Sequence, residues 1–259
     1  MKKNDLLTQW LAEEQAAHIH GWDFSHIRER YQEEDDLPWD YEQLVRQYLQ
    51  PESRILDIDT GGGEFLLSLE HPCSLTAAVE GYPPNVSLCR ETLSPLGIDF
   101  REAESGGALP FPDGSFDLVL NRHGNYDPRE VFRVLKPGGI FLTQQVGAEN
   151  DRELVELLLD PPPPLPFPKQ YLSIAAQQLE DCGFIILDAQ EAFRSICFRD
   201  VGALVWFARI IEWEFPGFSV KKCLDRLYKV QLLLERDGAV RGTTHRYLLA
   251  ARKPLSPAR

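Results

Sequence analysis

Short apolar stretches alternate with amphipathic stretches through much of this chain of 259 residues. Seven stretches have the length and apolar content of strands: 55–58, 75–80, 98–101, 116–120, 140–143, 184–191 and 245–253. Stretches with helical character lie between them: 64–70, 84–93, 127–135, 200–213 and 219–235. Strands that alternate with helices of these lengths are typical of a mostly parallel sheet covered on both faces. The pattern therefore predicts a doubly wound α/β fold.

Two amphipathic helices are predicted before the first strand, over 3–20 and 40–49. In the first helix four apolar side chains recur at helical spacing: Leu6, Leu7, Trp10 and Leu11. The acidic run 32–36 between the two helices is interpreted as a solvated loop. We therefore expect an N-terminal helical cap over 1–50 and a larger domain over 51–259, with a helical insertion at 200–236 before the last strand.

A glycine-rich turn follows the first predicted strand, after Asp57 and before the helix over 64–70. Glycines let a backbone turn tightly and approach a ligand closely, and the free N–H groups of the helix start face that ligand. Glu80 ends the second strand, where a carboxylate can accept both hydroxyls of an adenosyl ribose. Folds that bind dinucleotides and folds that bind S-adenosylmethionine share this arrangement.

Two residues favour S-adenosylmethionine over a dinucleotide. The dinucleotide pattern G-x-G-x-x-G needs a small residue at its third glycine position, and, counted from Gly61, Leu66 occupies that position. Asp57 would repel a pyrophosphate, whereas it attracts the ammonium and sulfonium groups of S-adenosylmethionine.

From Asp57 to Gly139 the chain resembles a class I S-adenosylmethionine-dependent methyltransferase of the small-molecule type. Four blocks occur in the family's order: the acidic glycine loop 57–63, Glu80, Leu-Pro-Phe-Pro-Asp-Gly-Ser-Phe-Asp at 109–117, and Leu-Lys-Pro-Gly-Gly at 135–139. The resemblance implies a Rossmann-like sheet of seven strands, mostly parallel with an antiparallel last strand. It also implies S-adenosylmethionine as the cofactor.

The resemblance assigns residues to the methionine end of the cofactor. Asp57, Gly61 and Gly63 would hold that end, and Asn121, at the end of the fourth strand, would reach it. Asp59 departs from the family, which has a small residue at this position. Aspartate tolerates unusual backbone angles; its carboxylate could bind the cofactor's ammonium, only cap the loop, or weaken binding.

Other residues are assigned to the adenosyl end. Glu80 would hold the ribose, followed directly by Gly81 and Tyr82, and the tyrosine ring would lie against adenine. One of the residues Glu102, Ala103 and Glu104 would lie near the adenine amino group, and Glu104 is the candidate carried forward.

The segment 121–126 follows the fourth strand, and ligands of open α/β sheets lie outside the carboxyl ends of strands. His123 is therefore the candidate catalytic residue, since an imidazole can take a proton near neutral pH. The alternative is a histidine that only hydrogen-bonds the loop. Arg122 either binds an acidic acceptor or pairs with a carboxylate.

Aromatic residues outside these blocks have two interpretations. Segments 21–25 and 37–41 either close over the cofactor or pack the N-terminal helices. Five aromatics of the helical insertion either shape the acceptor pocket or form core: Trp206, Phe207, Trp213, Phe215 and Phe218. His18 and His20 face different sides of a helix, so no metal site is predicted.

Charge and composition narrow the partners. The net charge of −13 disfavours binding to nucleic acid, and no apolar window is long enough to cross a bilayer. Five scattered cysteines suit a reducing cytoplasm, which is the expected location. The expected function is methyl transfer to a small-molecule acceptor, with no prediction of oligomeric state. A non-catalytic adenosyl-binding module and a nicotinamide-dependent oxidoreductase are the alternatives.

Overall fold

The computed structural model describes residues 3–18 and 24–255, which contain one mixed sheet of eight strands in the order β1-β7-β8-β6-β5-β2-β3-β4. The strands are β1 (Tyr31–Glu33), β2 (Ile55–Ile58), β3 (Thr76–Glu80), β4 (Asp99–Glu102), β5 (Phe116–Arg122), β6 (Leu135–Val146), β7 (Ile185–Phe198) and β8 (Val240–Arg252). All seven predicted strands are present, and the three-residue β1 is an addition.

The described residues contain all seven predicted helices, with bounds that differ by a few residues, and two further helices. They are α1 (Lys3–Ala16), α2 (Tyr41–Tyr48), α3 (Glu64–Ser68), α4 (Pro83–Thr92), α5 (Pro128–Val134), α6 (Arg152–Leu158), α7 (Leu172–Asp181), α8 (Val201–Ile210) and α9 (Leu224–Asp237). The predicted first helix reached residue 20, and residues 19 and 20 lie outside the described part. Asp127 caps α5, because its carboxylate accepts the Arg129 N–H at 2.8 Å.

Strand directions confirm the doubly wound architecture. β2 lies between β3 and β5, and all three run parallel, as do β3 with β4 and β5 with β6. β8 runs antiparallel to β6, as predicted for the last strand. Every residue of β2 and β3 is buried, as expected for central parallel strands that helices cover on both faces.

Three local predictions were wrong. Part of the acidic run 32–36 belongs to β1, whose Tyr31 ring packs 5.5 Å from the Phe198 ring of the paired strand β7. The Lys-Pro-Gly-Gly stretch, predicted to lie between the helix over 127–135 and the strand over 140–143, lies inside β6. β7 and β8 extend well beyond the apolar stretches that predicted them, since ladder pairing continues through polar residues.

The chain forms two compact units, each of three stretches. Unit 1 comprises 1–37, 147–168 and 192–245, and unit 2 comprises 38–146, 169–191 and 246–259. The expected division at residue 50 into cap and larger domain stays a prediction.

Unit 1 has an apolar core of its own. It contains Trp10 of α1 and buried residues of α6, α8 and α9. Four of the five insertion aromatics are buried there, and Trp213 is 44% exposed. The core interpretation therefore holds for those four.

Unit 2 packs its helices on the parallel strands. Its core contains Leu56 and Ile58 of β2, Val131 and Val134 of α5, and further buried residues. Trp39 and Tyr41, in one of the two aromatic segments, are both buried; residues 21–23 of the other segment lie outside the described part. No helix in the described residues has the length and apolar character that a membrane span requires.

Candidate functional site

The turn after β2 has the backbone conformation that its glycines allow. Asp59, Gly61 and Gly63 have φ of 54°, 65° and 84°, in the left-handed region. A Cβ at Gly61 would meet nothing within 4 Å, whereas a Cβ at Gly63 would lie 2.7 Å from Leu93 Cδ2. Open space therefore faces Gly61, and Gly63 is required for close packing at the start of α3.

The Glu80 carboxylate ties the end of β3 to this turn. It accepts the backbone N–H groups of Gly61 at 2.8 Å and of Gly81 and Tyr82 at 2.9 Å each. The Asn85 amide donates to it at 3.4 Å. Glu80 is only 5% exposed, so these charge-assisted bonds hold a nearly buried anion beside the glycine turn.

A second buried carboxylate lies at Asp57, where the Thr60 hydroxyl donates to Oδ2 at 2.7 Å. Burial raises the pKa of Asp57 to about 7, and repulsion from Asp59 and Glu80 acts in the same direction. The Thr60 hydrogen bond and the positive charge of Arg122 oppose that rise. Three carboxylates therefore create a negative potential at the carboxyl ends of β2 and β3.

Asp59 connects three loops. Its Oδ2 accepts the Ser105 hydroxyl and, at 3.1 Å, the Asn125 backbone N–H. A Cβ at Gly124 would lie 2.4 Å from the Asp59 Cβ, so glycine there makes room for the aspartate. The positive φ confirms the expected tolerance for unusual backbone angles, and the contacts are those of a loop cap.

Asn121 is fully buried at the end of β5. Its Nδ2 donates to the Ile58 carbonyl at 3.0 Å, and its Oδ1 accepts the Thr143 hydroxyl at 3.2 Å and the Gln145 amide. Both ends of the side-chain amide thus bind neighbouring strands, which fixes the spacing of β2, β5 and β6 beside the turn.

The predicted adenine side is more open. The Tyr82 side chain is 62% exposed, directly before α4. Glu104 is exposed, and Glu102 forms a surface ion pair with an arginine of α4. A Cβ at Gly81 would lie 2.5 Å from the Ala103 carbonyl oxygen, so the loop after β4 passes close to the end of β3.

His123 lies just beyond β5 with φ of 65°, and the residue is exposed. Its backbone N–H donates to the Gln144 carbonyl at 2.8 Å, and its Nε2 lies 3.3 Å from Gln144 Nε2. Surrounding atoms that displace water, followed by the charges of Arg246 and Arg122, lower the pKa of His123 below its usual range. These effects favour the neutral form of the ring.

All the predicted site residues lie in unit 2, at or just beyond the carboxyl ends of β2, β3, β4 and β5, where ligands bind in open α/β sheets. Sequence reasoning missed the residues that orient them: Trp39, Thr60, Ser105, Asn125 and Gln144. Three of them, Trp39, Thr60 and Asn125, lie within segments that were singled out from the sequence, whereas Ser105, in the loop after β4, and Gln144, inside β6, have no sequence signal. Within residues 3–18 and 24–255, no cluster of His, Cys, Asp and Glu is arranged to hold a metal ion.

Comparison with known proteins converges on this unit. Residues 56–143 match the family model described as a methyltransferase domain, and the matched stretch contains every predicted site residue. The chain is also 33% identical over 114 residues to a demethylmenaquinone methyltransferase of Thermus thermophilus, covering 40% of this chain and 52% of that protein.

A second relative is a fatty-acid O-methyltransferase of Mycolicibacterium smegmatis, 33% identical over 99 residues, which are 34% of this chain and 35% of that protein. The chain thus spans about half the length of the first relative and about a third of the second. A crystal structure of a Bacillus halodurans protein matches with a TM-score of 0.58 at 18% identity, covering 83% of this chain and 99% of that chain. At 18% identity, this similarity is evidence for a shared fold alone.

Proposed function

We propose that this chain, whose residues 56–143 match a methyltransferase domain, is a class I S-adenosylmethionine-dependent methyltransferase that transfers a methyl group to a small-molecule acceptor. The observation that carries the proposal is the cluster of three carboxylates around a left-handed glycine turn. Carboxylates in a partly buried cluster favour a ligand with positive charges. S-adenosylmethionine carries two such charges, an ammonium and a sulfonium.

The residues present fit that cofactor. Asp57 would face the ammonium, and the open space in front of Gly61 admits the close approach of the ligand to the backbone. Glu80 would accept the ribose hydroxyls. A carboxylate offers about four acceptor positions, and four donors occupy them here, so the ribose would displace the Asn85 amide, which makes the longest of the four bonds, 3.4 Å.

Tyr82 and Glu104 complete the proposed adenosyl side, and Gly63, Gly81 and Asn121 hold the backbone around it. Asp59 closes the loops beside the cofactor's methionine end. His123 is the group proposed to contact the acceptor. The cofactor, when bound, supplies an activated methyl group, and the protein aligns the two reactants and excludes water.

The acceptor is proposed to be a small organic molecule. The matched relatives are named for demethylmenaquinone and for fatty acids, which supports this class. The acidic net charge of −13 makes nucleic acid an unfavourable partner, and a cytoplasmic location is part of the proposal.

Calorimetric titration of the protein with S-adenosylhomocysteine and with NAD tests the proposal. We expect binding of the first and none of the second. Glu80→Ala should weaken S-adenosylhomocysteine binding about tenfold or more, because a charged acceptor of two hydroxyls is lost. Glu91→Ala, which removes an exposed carboxylate from α4, is the matched control and should bind as the unmodified chain does.

Binding of NAD without S-adenosylhomocysteine would overturn the proposal in favour of an oxidoreductase. A measurement of turnover distinguishes the proposed enzyme from the remaining alternative, a non-catalytic adenosyl-binding module. A screen of phenols, amines and carboxylates with an assay for released homocysteine should find an acceptor, whereas a non-catalytic module would bind the cofactor and turn over none of them.

A further inference from the structure

A buried amide connects a tryptophan to the candidate catalytic histidine. The Trp39 indole Nε1 lies 2.7 Å from Gln144 Oε1, and Gln144 Nε2 lies 3.3 Å from His123 Nε2. Trp39 and Gln144 are 8% and 9% exposed, so bulk water does not compete strongly for these groups. An indole nitrogen can only donate. The amide of Gln144 must therefore present its oxygen to Trp39 and its nitrogen to His123.

This orientation determines where the histidine proton is. The amide nitrogen of Gln144 can only donate, so His123 Nε2 must accept. A neutral imidazole that accepts at Nε2 carries its proton on Nδ1. A doubly protonated ring would set two donors against each other. The backbone bond from His123 N to the Gln144 carbonyl, 2.8 Å long, keeps the two residues in register.

Arg246 and Arg122 both contribute positive charge at His123. Arg122 is paired with Gln144 across β5 and β6, and its guanidinium lies 4.8 Å from the Phe65 ring centroid. Arg246, at the unit 2 end of β8, also acts on the histidine. Two positive groups and a neutral N–H donor favour an anion on this side of the site.

We propose that Trp39 and Gln144 are positioning residues that hold His123 as an Nδ1–H donor, and that the methyl acceptor presents an anionic oxygen, a carboxylate or a phenolate, to that donor. The proposal rests on the proposed function and specifies its acceptor. His123 then binds the nucleophile and does not deprotonate it. The acceptor oxygen supplies the electron pair of the new O–C bond, the pair of the broken S–C bond stays on sulfur, and no proton is released.

The tautomer can be measured in the protein without any ligand. Nitrogen-15 NMR of histidine-labelled protein distinguishes protonated from unprotonated ring nitrogens, and His123→Asn identifies the resonances of His123 among the six histidines. We expect a neutral ring at pH 7 with the proton on Nδ1. A proton on Nε2, or an equal mixture of tautomers, would overturn the positioning role.

Two variants test the connection itself. Gln144→Glu keeps the shape and the acceptor for Trp39, but turns an oxygen toward His123, so the proton should move to Nε2. Trp39→Phe removes the indole donor and should leave a mixture of tautomers. Gln50→Glu, the same change at an exposed position, is the control and should leave His123 unchanged. An unaltered His123 spectrum in both variants would contradict the proposal.

The acceptor class is tested with simple probes in the presence of S-adenosylhomocysteine. The anionic probes are acetate, benzoate, octanoate and 4-nitrophenolate, and each is compared with its neutral analogue, the amide of the acid or the anisole of the phenol. We expect at least one anion to shift the His123 Nδ1 resonance and to bind about tenfold more tightly than its neutral analogue. That preference should be lost in Gln144→Glu. If no anion outcompetes its neutral partner, the acceptor inference is wrong. If the protein fails to bind S-adenosylhomocysteine but His123 still carries its proton on Nδ1, the proposed function is wrong and the positioning role of Trp39 and Gln144 remains supported.

Discussion

The three carboxylates of the site differ in environment, although all stand at or just beyond strand ends. Asp57 and Glu80 could be located from sequence, because a buried strand that runs into a glycine turn positions its last residues. The contacts of Asp59 could not, since its donors Ser105 and Asn125 come from loops far along the chain. His123 was located in the same way as Asp57, but its tautomer depends on a buried amide that no local pattern marks.

Cofactor affinity should depend on pH through Asp57. Its pKa is raised from 3.8 to about 7, so at pH 5.5 the free protein holds a neutral acid there. The ammonium group of S-adenosylhomocysteine beside Asp57 favours the ionised carboxylate, and binding below pH 7 therefore releases a proton. S-adenosylhomocysteine affinity should rise from pH 5.5 to 7, by at most about tenfold per pH unit, and then level. Calorimetry in buffers of different ionisation enthalpy measures the released proton.

Asp57→Asn is the comparison that isolates this group. The variant should bind more weakly at pH 7.5 and show a flatter pH profile. Asp57 should also affect the folding stability of the unliganded protein, but this stability should fall as the pH rises, whereas the ligand affinity rises. A carboxyl whose folded-state pKa is raised costs stability as pH rises from about 4 to 7. Urea unfolding of the variant should lack that loss, and equal pH profiles for both proteins would exclude Asp57 as its source.

At the scale of elements, strands and helices with a clear pattern of apolar residues could be predicted from the sequence. Elements that form only because they pair or pack with distant parts of the chain could not. β2, β3 and β5 are short, apolar and buried, so their composition identifies them. β1 is polar, and only its pairing with the end of β7 makes it a strand. The seven-residue α6 was missed for a related reason: its buried leucines pack in unit 1, a context that local sequence does not contain.

The loops after β2 and β5 should be energetically coupled through Asp59 and Gly124. Gly124→Ala places a methyl group where the Asp59 Cβ lies 2.4 Å away, which should cost about 1–3 kcal/mol. In an Asp59→Gly background the same change should cost less than half as much, because the clash is gone. Urea unfolding of the four proteins gives the coupling energy. Additive effects would show that the two loops do not meet through these residues.

At the scale of the whole molecule, recognisable chemistry and unrecognised structure lie in different compact units. The matched stretch 56–143 falls within unit 2, which also holds all the predicted site residues. Unit 1 combines three separate stretches of the chain around α1 and α8. The sequence showed that these stretches contain apolar helices, but not that they pack into one core. The acceptor was unreadable for a chemical reason, since methyl transfer needs alignment more than a signature residue.

The N-terminal helix should be integral to unit 1. Trp10 is 1% exposed, its ring centroid lies 5.3 Å from that of Tyr228, and the α8 residue Trp206 donates its indole N–H to the Ala16 carbonyl at the end of α1. Trp10→Ala should lower the free energy of unfolding by about 3–5 kcal/mol, the usual cost of a large cavity. Gln9→Ala, at the exposed neighbouring position, should leave it within about 0.5 kcal/mol.

Hydrogen exchange locates the damage that Trp10→Ala causes. Amide protection should fall in α8 and α9, which share the core with Trp10. S-adenosylhomocysteine affinity should stay within about twofold while the protein remains folded, because the proposed contact residues all belong to unit 2. A stability change no larger than that of Gln9→Ala would mean that α1 adds little to unit 1. The aromatic contacts of Trp10 would then be packing without energetic weight.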